Sequence, residues 1–247
     1  MSDRRKTALV LSGGGMFGAW QAGAWRALAA SFHPDLVVGA SVGSLNGYAI
    51  AGGALPGDLL EFWRRPETGS LRRLPDTIRG LMARYPAVEN YAVVLTDAMR
   101  MKPKIFWGEE VTWRHLAASC AVPLVLRPYR IGARWYCDGG LLNPVPVWAA
   151  IELGATRIVA LNVLPRLPAK WLRPLASGFL RVAGYDPPRP EGIEVRTIGT
   201  PEPLGSLRDS LQWRRENIER WMEEGFEAAK TFLSGNDLGD NFRYALL

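Results

Sequence analysis

The five residues Gly39-Ala-Ser-Val-Gly43 limit the fold of this chain more than any other stretch. The apolar run Leu36-Val37-Val38 leads into them, and a charge-free segment of small residues, Val42 to Ala54, leads out. That order reads as strand, sharp turn, helix. In such a setting a G-x-S-x-G turn holds its serine in a strained backbone conformation, so its neighbours must lack bulk, as glycine at 39 and 43 does. The helix that follows aims its free N–H groups and positive dipole end at Ser41. Gly43, Gly47 and Ala51 recur every four residues and give that helix one smooth face, suited to close packing at the centre of a domain. Taken alone, the same five residues also fit a Gly/Ser-rich turn with no chemistry.

The rest of the chain alternates strands with helices. Thr7 to Ser12 is a short apolar run without alternation, as expected of a strand buried on both faces. The glycine loop Gly13-Gly14-Gly15-Met16-Phe17-Gly18 follows, then a helix over 19–30. Further strands are predicted over 104–107, 124–127, 129–136, 157–163 and 193–198. Helices are predicted over 88–99, 112–119 and 147–153. A long C-terminal helix over 206–233 has Ser206 as its N-cap and Gly235 as its stop. This alternation implies an α/β fold with a mostly parallel sheet and helices on both faces. With 247 residues and 48% hydrophobic content the chain can bury one sizeable core, so residues 1–247 read as a single domain. The arginine-, proline- and glycine-rich stretch 64–90 reads as an insertion, either a cap beside the site or, the reading preferred, a solvated surface. The basic amphipathic pattern over 171–183, inside the proline-flanked segment 165–190, fits either a cover over the core or a membrane-facing helix.

Charge and cysteine usage narrow the class. Thirty Lys and Arg against 24 Asp and Glu give a net charge of +6, which favours acidic partners. The basic residues are scattered and form no nucleic-acid module, so no nucleic acid is expected and an anionic lipid surface remains. Cys120 and Cys137 are too few for a disulfide framework, and no set of histidines accompanies them for zinc. Arg4-Arg5-Lys6 before an uncharged run imitates a signal peptide, but Gly13-Gly14-Gly15 interrupts it early. The second uncharged run, Leu36 to Gly57, contains Ser41, Ser44, Asn46 and Pro56, which suit a membrane span poorly. The expectation is a cytoplasmic chain without signal or span, in peripheral contact with membrane at most.

Three features carry chemistry, and all three follow strands: the glycine loop, Ser41, and Asp138 in Cys137-Asp-Gly-Gly140. The C-terminal ends of parallel strands gather on one edge of an open α/β sheet, so the three can meet there. A serine is a weak nucleophile until a base takes its proton. Acyl transfer also needs N–H donors aimed at the developing oxyanion, which a side-chain-free loop at a helix start can supply. The only histidines are His33 and His115, and none follows in the late position that α/β-hydrolases use. Asp138 is left as the base, on condition that burial raises its pKa towards neutrality. A competing reading takes Gly13, Gly15 and Gly18 as a dinucleotide fingerprint. The acidic residue such a site wants at the end of the second strand is absent, because Asp35 precedes that strand and the Ser41 turn ends it.

In this order and spacing the motifs resemble those of the patatin-like phospholipase family. The resemblance rests on Gly13-Gly14-Gly15 with Gly18, on Gly39 to Gly43, and on Asp138-Gly139-Gly140. It extends to Ala118-Ser-Cys-Ala-Val-Pro123 and Asn143-Pro-Val-Pro146, and covers residues 7–163. It implies a three-layer α/β/α sandwich and hydrolysis of lipid acyl esters through an acyl-serine intermediate. Ser41 would be the nucleophile, Asp138 the base, and Gly13, Gly14 and Gly15 the oxyanion donors, with no metal or other cofactor. Two positions depart from the family pattern. Ser12 stands where the family commonly has Asp, and Phe17 where it has Arg or Lys. The loop therefore lacks a nearby positive charge, which keeps open an alternative, a weak or inactive lipid-binding protein, and leaves Phe17 as a candidate lining for an acyl-chain entrance.

Overall fold

The computed structural model describes residues 6–85, 89–164 and 192–235. In chain order these form β1 (Thr7–Leu11), α1 (Gly18–Leu28), β2 (Leu36–Ala40), α2 (Val42–Ala51), α3 (Pro56–Arg64), α4 (Leu74–Arg84), β3 (Tyr91–Asp97) and β4 (Lys102–Trp107). They continue with α5 (Trp113–Ser119), β5 (Tyr129–Ile131), β6 (Arg134–Cys137), α6 (Val147–Glu152), β7 (Arg157–Asn162), β8 (Glu194–Gly199) and α7 (Arg215–Leu233). The expected amphipathic helix over 171–183 lies outside the described residues.

The strands make one mixed sheet in the order β5-β6-β3-β2-β1-β7-β8, with β4 on β3. From β3 to β8 the neighbours are parallel, while β4, β5 and β6 pair antiparallel. The central strands bury both faces, and the period of two sorts their side chains into two cores. Leu9, Leu11, Val37, Val93, Leu95 and Leu161 face the larger one, against residues of α1 to α5 and α7. Ala8, Val10, Val38, Val94 and Ala160 face the smaller one, against Val147 to Ala150 of α6. This is the three-layer α/β/α arrangement, with unequal layers.

Helices α1 and α7 pack at backbone contact. A Cβ on Gly23 would overlap the Met222 carbonyl, and one on Gly225 the Trp20 carbonyl. Phe17 stands edge-on to Trp221 at the end of this seam, with ring centroids 4.9 Å apart, and only 2% of its surface is exposed. It is therefore a core residue and does not line an entrance. Ser12 is likewise structural. Its Oγ accepts the Val163 N–H at 3.1 Å and its carbonyl accepts Gln21 Nε2 at 2.8 Å. Gln21 in turn accepts from Asn46, which also accepts the Trp63 indole N–H, each at 2.9 Å. All four side chains are fully buried, so a satisfied polar network ties the glycine loop to α1, α2 and α3.

Three sequence expectations change. Residues 88–99 are expected as a helix, but Tyr91–Asp97 is the strand β3, buried at every position. An apolar run hidden on both faces has no period by which to tell strand from helix. Residues 124–127 form a turn instead of a strand, with Leu124 at φ 71°. The C-terminal helix begins at Arg215, not 206. Ser206 does meet Asp209, at 2.6 Å between Oγ and Oδ2, but in the turn that leads into the short 3-10 segment Asp209–Leu211, ahead of the helix. The chain is then held extended at Arg214, beside Trp213, whose indole N–H donates to the Trp63 carbonyl at 2.9 Å. The stretch 64–90 contributes α4, which buries Leu74, Ile78 and Leu81 and turns its arginines outward; Arg84 meets Asp58 at 2.7 Å.

Candidate active site

Sheet register brings the two halves of the site together. Ala40, the last residue of β2, pairs with Val94 of β3, and Cys137, the last of β6, pairs with Thr96. Strand β4 occupies the other edge of β3, so β2 and β6 share one edge and run head to head. Their ends meet beside Leu95, where Ser41 and Asp138 follow on. The Asp138 carbonyl accepts the Thr96 hydroxyl at 2.8 Å and its N–H donates to the Ala121 carbonyl at 3.0 Å. A Cβ on Gly139 would overlap the Val94 carbonyl, so only glycine lets the chain turn this close to β3.

Ser41 has φ 50° and ψ −130°, a sparsely populated conformation for a residue with a side chain. Glycine at 43 is required because a Cβ there would strike the Leu11 and Ser12 carbonyls, and at 39 because it would strike the first turn of α2. The strained residue is pinned from below. Its N–H donates to Ser119 Oγ at 2.8 Å, and the Ser119 hydroxyl donates to the Val94 carbonyl at 2.8 Å. Ser119 is fully buried at the end of α5. Sequence reasoning placed it in the Ala118–Pro123 segment without a role, since nothing in the spacing shows that α5 ends beneath the turn. Ser119→Ala removes the acceptor that fixes the serine backbone, and misplacement of a reacting group by about 1 Å costs roughly 10²-fold. If Ser41 is the nucleophile that the sequence leads one to expect, kcat on a soluble ester should fall by about that size with KM little changed, and the melting temperature should fall as well, because the buried Ser41 N–H loses its acceptor.

The glycine loop lies directly against both groups. A Cβ on Gly13 would be 3.2 Å from Ser41 Cβ and 3.9 Å from Gly140 Cα. The Gly13 N–H donates to the Pro144 carbonyl at 2.9 Å, so it is committed to holding the Asn143–Pro146 loop. Among the described residues nothing accepts a hydrogen bond from the Gly14 or Gly15 N–H. Both have positive φ, 157° and 58°, and a Cβ would overlap Val163 on Gly14 and the Ser210 carbonyl on Gly15. Gly18 is needed for packing, where a Cβ would overlap the Trp63 ring.

Asp138 is 6% exposed and Ser41 7%. One carboxylate oxygen, Oδ1, accepts the Gly140 N–H at 2.8 Å. The other, Oδ2, is buried and has no partner in hydrogen-bond geometry. Burial pushes the Asp138 carboxyl up to about 6, with Ser41, Gly140 and Leu141 pulling it partly back. Ser41 is thus close enough to influence the carboxylate without being aligned on it, a slackness common before substrate arrives. Burial also raises the Cys120 thiol out of the reactive range and lifts Cys137 to about 11, so neither is a nucleophile at neutral pH.

Neither histidine joins the site. His115 Nδ1 accepts the Thr112 N–H at 3.0 Å as part of the α5 cap, its ring packs on Phe106 at 4.4 Å, and burial lowers its pKa. His33 lies in the loop after α1. Asp35 accepts the Thr7 N–H at 2.9 Å between β1 and β2, a structural task that leaves no ribose-binding acid. A cavity of about 310 Å³ lies between α3 and α4, lined by Leu59, Phe62, Thr77 and Tyr85, and touches none of these groups.

Known proteins resemble this chain in sequence and in fold. Two uncharacterised NTE family proteins, from Mycobacterium bovis and Mycobacterium tuberculosis, are 27% identical to the chain over 204 residues, which is 69% of it. The chain spans only 56% of the length of these relatives. The crystal structure of VipD from Legionella pneumophila superposes with a TM-score of 0.54 at 13% identity, over 94% of this chain and 67% of that one, a likeness of fold. The family model described as patatin-like phospholipase matches residues 9–94 and 83–151, a span that holds the glycine loop, the Ser41 turn, Ser119 and Asp138. With more than half of its length under that model, the chain belongs to the patatin-like phospholipase family.

Proposed function

We propose that the protein is a serine lipid acyl hydrolase in which Ser41 is the nucleophile and Asp138 the general base. The observation that carries this reading is the buried carboxylate of Asp138, unpartnered at Oδ2 and raised to about 6, beside a serine held in a strained turn. Buried polar atoms are rarely left unpaired without a functional reason. Near neutral pH the carboxylate is ionised yet basic enough to take a proton.

On substrate binding the ester carbonyl carbon meets Ser41 Oγ while Asp138 accepts the hydroxyl proton. The tetrahedral oxyanion is stabilised by the Gly14 and Gly15 N–H groups, whose donors have no acceptor among the described residues. Collapse expels the alcohol, which takes the proton back from Asp138 and leaves an acyl-serine. Water then enters along the same path and bonds to the acyl carbon as Asp138 accepts its proton; collapse breaks the bond to Ser41 Oγ, which takes that proton back, and releases the fatty acid. The family membership supplies lipid acyl esters as the substrate class. An uncharged glycine loop supports the alternative of a lipid-binding protein with little turnover only if the serine is unreactive. A fluorophosphonate probe decides: one adduct, mapped by mass spectrometry to Ser41 and blocked by prior incubation with a lysophospholipid, is expected. A folded protein that takes up no probe favours the binding reading.

A further inference from the structure

We infer that the sheet edge around Ser41 is a docking surface for an anionic lipid bilayer, a role that rests on the lipid-hydrolase reading above. The loops that rim this edge carry large apolar side chains into solvent. Met99, at the tip between β3 and β4, is 79% exposed, and the neighbouring Trp135 of β6 is 47% exposed. The two are joined through the Ala98 N–H, which donates to the Trp135 carbonyl at 2.9 Å. Leu141 is exposed just past Asp138, and Leu124 is fully exposed in the turn that follows the Ala121–Asp138 hydrogen bond, with Val125 beside it. Leu124 also sits at φ 71°, between Pro123 and Pro128. A leucine in that conformation and wholly in water is unfavourable on both counts, which points to a partner that takes it up.

Charge selects the partner. Residues 98–107 carry Arg100, Lys102 and Lys104 and no Asp or Glu; residues 120–137 carry Arg127, Arg130 and Arg134 and again none, and of these Arg134 faces Asp97 at 3.6 Å. Apolar tips and a tryptophan set among arginines suit an interface of acyl chains and anionic headgroups. Among the described residues no helix is long and apolar enough to cross a membrane. The same edge holds Ser41, so a bilayer seated on it presents its esters to the nucleophile.

The test uses the full chain carrying Ser41→Ala, so that vesicles stay intact. Co-sedimentation with phosphatidylcholine vesicles is compared with and without phosphatidylglycerol. Binding is expected to be at least about tenfold tighter with the anionic lipid and to weaken with salt. Leu124→Asp with Trp135→Glu, and separately Arg127→Glu with Arg130→Glu, should each weaken it about tenfold or more. In the Ser41 background the same pairs should leave turnover of a monomeric short-chain ester unchanged while lowering turnover of vesicle lipid. Binding that ignores the anionic lipid, or survives both double substitutions, overturns the inference, as does self-association abolished by Leu124→Asp. Vesicle binding with the expected lipid and mutant dependence but without turnover of any ester would instead overturn the hydrolase reading.

Discussion

Ser41→Ala is expected to lower ester turnover by about 10⁶-fold, the scale on which loss of a serine nucleophile acts where base and oxyanion donors remain. The change removes one oxygen and little else. The Ser41 N–H still donates to Ser119 and its carbonyl still accepts the Ser44 hydroxyl, at 2.8 and 2.6 Å, so the turn keeps its anchors. The melting temperature should stay within a few degrees. Loss of the hydroxyl also withdraws one of the contacts that hold the Asp138 pKa down, so that carboxyl should titrate higher in the variant. Carboxyl infrared spectroscopy against pH reads this directly. A Ser41→Ala protein that keeps a tenth of its turnover would remove Ser41 from the mechanism.

On the proposed mechanism Asp138→Asn is expected to cost about 10⁴-fold in kcat, comparable to losing the ionised partner in serine hydrolases. Its pH profile is the sharper test. In the wild type, kcat/KM should fall about tenfold per pH unit below about 6, as the carboxylate takes up its proton. The variant has no such group, so its residual rate should lack that limb. Stability should move the other way. A carboxyl raised from 3.8 to about 6 by folding binds its proton more tightly in the folded state. Its contribution to stability is complete below about pH 3.8 and is lost as pH rises through about 6, a swing of about 3 kcal/mol. Asparagine carries no charge to bury. The variant should therefore be more stable than wild type at pH 7 to 8, with the difference closing between pH 6 and 4. Denaturant unfolding at both ends of that range measures it, and equal stability throughout would remove the burial argument.

The parts of the site that could be read in advance are those where chemistry forces a residue type at a fixed short distance. Glycine at 39 and 43 follows from the crowding of an elbow, and glycine at 139 from the approach to Val94. The scarcity of histidine left Asp138. What stayed hidden depends on contacts between distant segments. Ser119 beneath Ser41, the Gln21–Asn46 network, and the commitment of the Gly13 N–H to Pro144 leave no periodic or spacing signal. The strand β3 was hidden for the opposite reason, since burial on both faces erases the alternation that marks a strand. For Phe17 a loop position beside Ser41 invites a functional role, whereas the α1–α7 seam claims its ring.

The meeting of β2 and β6 at Leu95 has a practical consequence. Among the described residues β6 is held to β3 by two ladder pairs, Thr96 with Cys137 and Asp97 with Tyr136, and by the Ala98 N–H and Thr96 hydroxyl bonds to the Trp135 and Asp138 carbonyls, and β5 and β6 are three and four residues long. So small a ladder opens well before the parallel strands β1, β2 and β7 do. The proposed ester turnover should be lost on heating several degrees below the unfolding midpoint, and cooling from that window should restore it in full. A crosslink between the β5–β6 arm and β3 would then raise the working temperature without raising the melting temperature.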